Sequence, residues 1–369
     1  MGKKVVKIVG KGAEESVIDI KEQLGLVKYK FILYYASFNL DQKVIAKRMK
    51  EEFIEAKIIG CSSHMEYDSE GIYENSVVAI ALTEDDIEDV CVSVVTDVKD
   101  ENNTKDALNN FSEYFEVDIV KMDFEKYVGI ILVDGLSAGE EKVMDIIGGK
   151  TNIMFIGGSA SEGLKFDHTY VTAEGIAYEK AAVMALFKVK NGYDIVKVQS
   201  VDIIEEKLVA TKVDEETRTV CTFNDKPALE EYADKLGVSK EDVAKEFFFN
   251  PTCLKTEEGE AYIRSPRVPV GNDEIAFFCG ISEGSELNLC KVNGNIVSDM
   301  RDALGKYDYK NSKAIFEFIC ILRTLELVNS GKEQEYAKLF EGSNKIGFST
   351  YGEEFLGHMN QTSTMLILR

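Results

Sequence analysis

Apolar positions along this chain switch repeatedly between two periods. Residues 30–37, "KFILYYAS", form an aromatic and β-branched run that predicts a strand. In "DQKVIAKRMKEEF", Val44, Ile45, Arg48, Met49 and Phe53 recur at helical spacing, with Asp41 placed as an early helix acid. "AKIIGCSS" then predicts a second strand. The same order returns in "YVGIILVDG", "AGEEKVMDIIGG" and "NIMFIGGSA", and again in "AIFEFICIL", "EQEYAKLFEG" and "NKIGFSTYG". Roughly thirty residues separate Phe31 from Ile59, Val128 from Ile156 and Ile315 from Ile346, the length of a strand–helix–strand unit.

Each copy is followed by further strand-like runs without an intervening helix. "ENSVVAIALTE" and "VCVSVVTDV" follow the first, "TYVTAEG", "KAAVMALFKV" and "YDIVKVQS" the second, and "TSTMLILR" the third. Consecutive strands imply antiparallel hairpins. The expected fold class is therefore α/β with an α+β character: mixed, largely antiparallel sheets flanked by helices, built from repeated strand–helix–strand–hairpin units. Polar residues around 213–221, "KVDEETRTVC", mark a division into 1–218 and 219–369. The second part opens with two short helices in "KPALEEYADKLGVSKEDVAKEFF", with Pro227 near a start and Gly237 as a stop.

Every copy ends its second strand in Ile-Gly-x-Ser: "IGCSS", "IGGSA" and "IGFST". Read as strand-exit turns, these put glycine where backbone freedom is needed and serine where it bonds the local backbone. In open α/β sheets, ligands gather at the carboxyl ends of parallel strands. That edge would collect Cys61, Ser62, Gly158 and Ser159. The third copy adds Cys320 and Arg323 at one strand exit, Ser349, Tyr351 and Glu353 at the other, and Asn360 and Gln361 in the loop beyond. Arg323 can grip a ligand carboxylate as a bidentate fork, and Glu353 can accept an ammonium group. An internal Arg323–Glu353 ion pair accounts for the same two residues without a ligand.

Composition narrows the partners. Asp and Glu number 65 against 43 Lys and Arg, a formal net charge of −22, which disfavours nucleic acid and anionic membranes. No apolar run approaches a membrane span, the start lacks a secretory h-region, and Val6 stands where myristoylation of Gly2 requires Ser or Thr. Seven scattered cysteines without a Cys-x-x-Cys fit reduced thiols in the cytoplasm.

The blocks "IGFSTYGEEFLGHMNQTSTMLIL" and "FEFICILR" resemble the C-terminal half of FIST domains, named for F-box and intracellular signal transduction proteins. "IIGCSSHMEY", "VDGLSAGEEKVMDII" and "MFIGGSASEG" resemble the N-terminal half, while "EEYADKLGVS" and "EGEAYIRSPRVP" resemble the start of the C-terminal one. The resemblance implies a sensory module for a small ligand, with amino acids the proposed class, and an output in signal transduction. No kinase, cyclase or methyl-accepting segment is read here, so the expected output runs through a separate signalling partner. It also implies an alternative, a haem protein sensing nitric oxide, for which His64 and His358 are the candidate ligands.

Enzyme motifs are absent: no Walker loop, no complete dinucleotide fingerprint, no nucleophile elbow and no zinc spacing among the three histidines. A thiol-dependent enzyme using Cys61 or Cys320 is the third reading, against the simpler role of small buried strand residues. The leading expectation is a non-enzymatic, cytoplasmic ligand-binding protein with no cofactor.

Overall fold

The computed structural model describes residues 4–163, 165–256 and 259–369. Gly2 of the lipidation reading, Leu164 and Glu258 lie outside them. Contacts divide the chain into two compact units, one comprising Met1–Val198, Met300–Gly357 and Ser363–Arg369, the other Gln199–Asp299 and His358–Thr362.

The first unit is a threefold repeat. The first copy runs through an edge strand (Val5–Val9), a helix (Ala13–Leu24), a leading strand (Phe31–Ser37), a second helix (Gln42–Glu52) and a second strand (Lys57–Ser63). A short strand (Glu66–Asp68) then opens a hairpin, and a return strand (Ser76–Leu82) completes the copy. The second copy repeats that order with Ile87–Val95, Glu101–Phe115, Tyr127–Val133, Glu140–Lys150, Phe155–Ser159, Val171–Ala173 and Ala182–Val189. The third begins at Tyr193–Gln199 and resumes at the helix Ile296–Leu304. It continues through Ala314–Cys320, helices Ile321–Ser330 and Glu333–Leu339, then Lys345–Thr350, Glu353–Phe355 and Thr362–Leu368. Most of the second unit is thus an insertion in the third copy.

Each copy centres on one sheet in the order edge, return, leading and second strand. Leading and second strands are parallel; the return strand runs antiparallel to the leading one. The next position is filled by another copy's hairpin. Val171–Ala173 of the second copy pairs with the first copy's Lys57–Ser63, Glu353–Phe355 of the third with Phe155–Ser159, and Glu66–Asp68 of the first with Lys345–Thr350. The exchange is cyclic, so no copy closes its own sheet.

Leading strands are buried on both faces, which explains their unbroken apolar runs. Phe31, Leu33 and Tyr35 join Val128, Ile130, Leu132, Phe316 and Phe318 in a central core that all three sheets share. Ile32 and Tyr34, on the opposite face, pack with Val17, Ile20, Ile45 and Met49 of the covering helices. Asp41, read as an early helix acid, stands just before the helix and caps it, accepting from the amides of Lys43 and Val44 at 3.0 Å.

Two local expectations are corrected. The Ile-Gly-x-Ser stretches lie inside the second strands rather than in exit turns, and their glycines do not adopt positive φ. The need is for close approach: a Cβ on Gly60 would stand 2.6 Å from the Tyr34 ring, and one on Gly347 would stand 2.8 Å from the Glu317 carbonyl oxygen. Secondly, the strand in "FEFICILR" ends at Cys320, and Arg323 belongs to the first turn of a helix.

The second unit carries its own sheet around Val201–Asp214, Thr219–Phe223 and Glu286–Val292, with helices Ala228–Leu236 and Val243–Glu246 and the left-handed C-cap Gly237 where expected. Residues 215–218 form the turn between two of its paired strands.

Candidate ligand site at the strand ends

The repeat fixes equivalences residue by residue. Gly60 faces Tyr34 on one side and Thr172 on the other; Gly157 faces Ile131 and Glu354; Gly347 faces Glu317 and Tyr67. In every case the outer partner is the middle residue of an exchanged strand. The amides of Ser62, Ser159 and Ser349 likewise donate to Tyr170, Gly352 and Met65 just before those strands, at 2.9 Å each. His64, Ser161 and Tyr351 are therefore equivalent positions where the three second strands run out.

These ends are bonded together. Ser62 Oγ donates to the Ser161 carbonyl at 3.1 Å, Ser161 Oγ donates to the Ser349 carbonyl, and the His64 amide donates to Ser161 Oγ at 3.0 Å. Thr350 Oγ1 lies 2.7 Å from the carbonyls of both Ser159 and Gly352. Ser159 Oγ donates to Glu354 at 2.8 Å and lies 3.3 Å from a Glu140 oxygen. Gly158 leaves room for Thr350, whose hydroxyl would stand 2.9 Å from a Cβ placed there. Ser62, Gly158, Ser159, Ser349 and Tyr351 are thus gathered in one network.

Around it, Tyr351 and His64 meet three residues that the sequence did not single out: Phe38, Glu162 and Phe166. Tyr351 donates its hydroxyl to Glu162 at 2.8 Å, and the same oxygen accepts the Phe166 amide. The Phe166 and Tyr351 rings stack at 5.3 Å, and the Phe38 and His64 rings at 6.4 Å. Phe166 adopts φ 59°, an uncommon conformation for a bulky residue, while remaining 45% exposed. Burial lowers the His64 pKa, against the opposing pull of Glu74 and Glu162, so its ring is neutral at pH 7.

Glu66, also missed, opens the first exchanged strand and is fully buried. It accepts from Ser37 at 2.6 Å and from Ser63 and Ser76, three hydroxyls on three strands. Burial raises its pKa to about 8 although those hydroxyls pull it down. Glu353 is its counterpart on the third hairpin, opposite Gly158 as Glu66 is opposite Phe348.

Cys320 faces Thr350 across the parallel pair and precedes the helix bearing Arg323. Arg323 is 2% exposed. Beside it, Tyr67 of the exchanged strand donates to Thr324 Oγ1 at 2.6 Å. Burial drives the hydroxyls of Tyr67 and Tyr336 far up, a shift that the Arg323 charge partly opposes. Cys61 is fully buried, and burial, reinforced by Glu66 and Glu354, keeps it a thiol rather than the thiolate a nucleophile needs.

Asn360, Gln361 and His358 belong to the second unit. Asn360 accepts from the Ser265 amide at 3.2 Å and from the Cys279 thiol at 3.0 Å, and Gln361 donates to the Phe248 carbonyl at 2.8 Å. The two histidines of the haem alternative therefore lie in different units.

The FIST N domain matches residues 30–226, and the FIST C domain matches residues 228–355. The chain belongs to the FIST family. FIST domains are associated with signal transduction and with sensing of small ligands. The chain is also similar to an uncharacterised protein of Methanocaldococcus jannaschii, 23% identical over 267 residues, which are 63% of this chain and 51% of that one. It thus spans about half the length of that relative. No helix among the described residues is long and apolar enough to cross a membrane.

Proposed function

We propose that this FIST protein is a non-enzymatic sensor that binds a small polar metabolite, an amino acid or a close analogue, where the three strand pairs of its first unit end. The observation that carries this reading is the convergence of His64, Ser161 with Glu162, and Tyr351, one strand end from each copy, in a single bonded cluster. A ligand seated there touches all three copies at once. Because each copy's sheet is completed by another's hairpin, a shift at one strand end is felt in the next sheet. A cytoplasmic partner reading that shift supplies the output.

Arg323 is the proposed carboxylate anchor. A cation in the first turn of a helix sits at the positive end of the dipole, so its burial there calls for an anion, from a ligand or from Glu353 or Glu354. Cys320, Ser349, Tyr351, Glu353, Ser62, Cys61, Gly158 and Ser159, all of the first unit, are the proposed surroundings.

Thermal unfolding across a panel of amino acids tests the reading. A saturable rise in Tm follows from binding, and Arg323→Lys should weaken that binding about tenfold or more, since lysine keeps the charge but not the planar fork. Undiminished ligand stabilisation in a folded Arg323→Lys protein removes Arg323 from the site.

A further inference from the structure

Among the described residues, the strand-end cluster holds a buried carboxyl group without a cationic partner. Glu162 is 3% exposed, and the donors to its carboxylate are the Tyr351 hydroxyl and the Phe166 amide, both neutral. Among the described residues, no lysine, arginine or histidine forms an ion pair with it. Burying a carboxylate without a cation is costly, and hydrogen bonds from neutral donors offset only part of that cost.

The walls beside this anion are aromatic. The Tyr351 and Phe166 rings lie within 24° of parallel on one side. The His64 and Phe38 rings lie within 23° of parallel, and His64 is near enough to feel the Glu162 charge. A Cβ on Gly163 would stand 2.5 Å from the Phe38 ring, so glycine at that position lets the loop after Glu162 close against Phe38. The rings come from four separate strand exits, and Phe166 is held exposed in an uncommon backbone conformation by the bond from its own amide to Glu162. Aromatic faces attract cations and repel anions, and a carboxylate among them selects the same sign.

We propose that Glu162, with Phe38, His64, Phe166 and Tyr351, forms a binding site for an organic ammonium group, primary or methylated. The carboxylate supplies the charge partner, and the rings shield the pair from water. The proposal rests on the reading that ligands bind at these strand ends, and it identifies which residues take the cationic end of such a ligand. Arg323, a guanidinium, belongs to the anionic end.

The test titrates the full-length protein with ethylammonium and tetramethylammonium chlorides against sodium chloride at equal ionic strength, following thermal unfolding and heat of binding. Wild type should show saturable stabilisation by the ammonium salts beyond that of sodium. Glu162→Gln should weaken it about tenfold or more, and Phe166→Leu should weaken tetramethylammonium the more strongly of the two probes. Phe166 is partly exposed, so that variant keeps the measurement open should Glu162→Gln fold poorly. Ammonium salts that act no differently from sodium chloride overturn the proposal, as do variants that titrate like wild type. Propionate and a panel of amino acids separate this outcome from the broader reading. Amino acids that stabilise Glu162→Gln as well as wild type refute the ammonium site and leave the sensor reading standing; ammonium binding without any amino-acid effect does the reverse.

Discussion

At the residue scale, most of what distinguishes this protein is polar chemistry placed where strands should be apolar. Glu66 is the sharpest case. Its carboxyl titrates near 4.5 in the unfolded chain and near 8 in the folded one, so between those values the folded state holds a proton that the unfolded state has lost. Stability from this group is therefore full below pH 4.5 and lost as pH rises toward 8. We expect unfolding free energy from urea titrations to fall by on the order of a few kcal/mol between about pH 5 and pH 8, and Glu66→Gln to flatten that slope. A variant with the wild-type slope would show that Glu66 ionises normally. Gly157 makes a steric prediction: any Cβ there penetrates the Ile131 carbonyl oxygen across the parallel pair. Gly157→Ala should cost about 2–4 kcal/mol in the same titration, whereas an exit-turn glycine at negative φ would tolerate alanine.

At the element scale, the hairpins and their anchors carry the architecture. Lys345, 1% exposed, opens the third copy's second strand and stands 2.6 Å from the fully buried Glu317. Its ammonium also lies 4.0 Å from the centroid of Phe340, 5.3 Å from Tyr67 and 5.4 Å from Tyr336. Tyr67 comes from the first copy's hairpin, so this cation pins an exchanged element in place. Lys345→Met should destabilise by about 3–5 kcal/mol because it strands a buried carboxylate, and Lys345→Met with Glu317→Gln should recover most of that. Equal losses in the single and double variants, measured by chemical unfolding, would mean that the aromatic contacts rather than the ion pair hold the strand. The sequence disclosed the strands and amphipathic helices readily, since their periods are local. It hid the helix Ile321–Ser330: that segment is apolar enough to prolong the strand before it, and Arg323 reads as a strand-exit residue until the turn is seen.

At the scale of the whole first unit, the threefold repeat was legible because three Ile-Gly-x-Ser motifs marked equivalent strands. The hairpin exchange was not, because nothing local in Glu66–Asp68 or Val171–Ala173 names the strand each will join. The same limit applies to the site. Serines and Tyr351 were visible through the repeat and His64 through the haem alternative, whereas Glu162 and Phe166 lie in an irregular loop, and Phe38 acquires meaning only when separate strand ends meet. The insertion of the second unit within the third copy further separated in sequence what packs together in space. Cyclic exchange makes the three sheets mutually dependent, and it is this property that would turn local binding into a signal. Amide hydrogen exchange, measured with and without a saturating mixture of the common amino acids, tests that claim most directly. Ligand binding should slow exchange together at the amides of His64, Glu162 and Tyr351 and in the exchanged strands Glu66–Asp68, Val171–Ala173 and Glu353–Phe355. Unchanged exchange at all of these amides, or protection confined to a single copy, would contradict that claim.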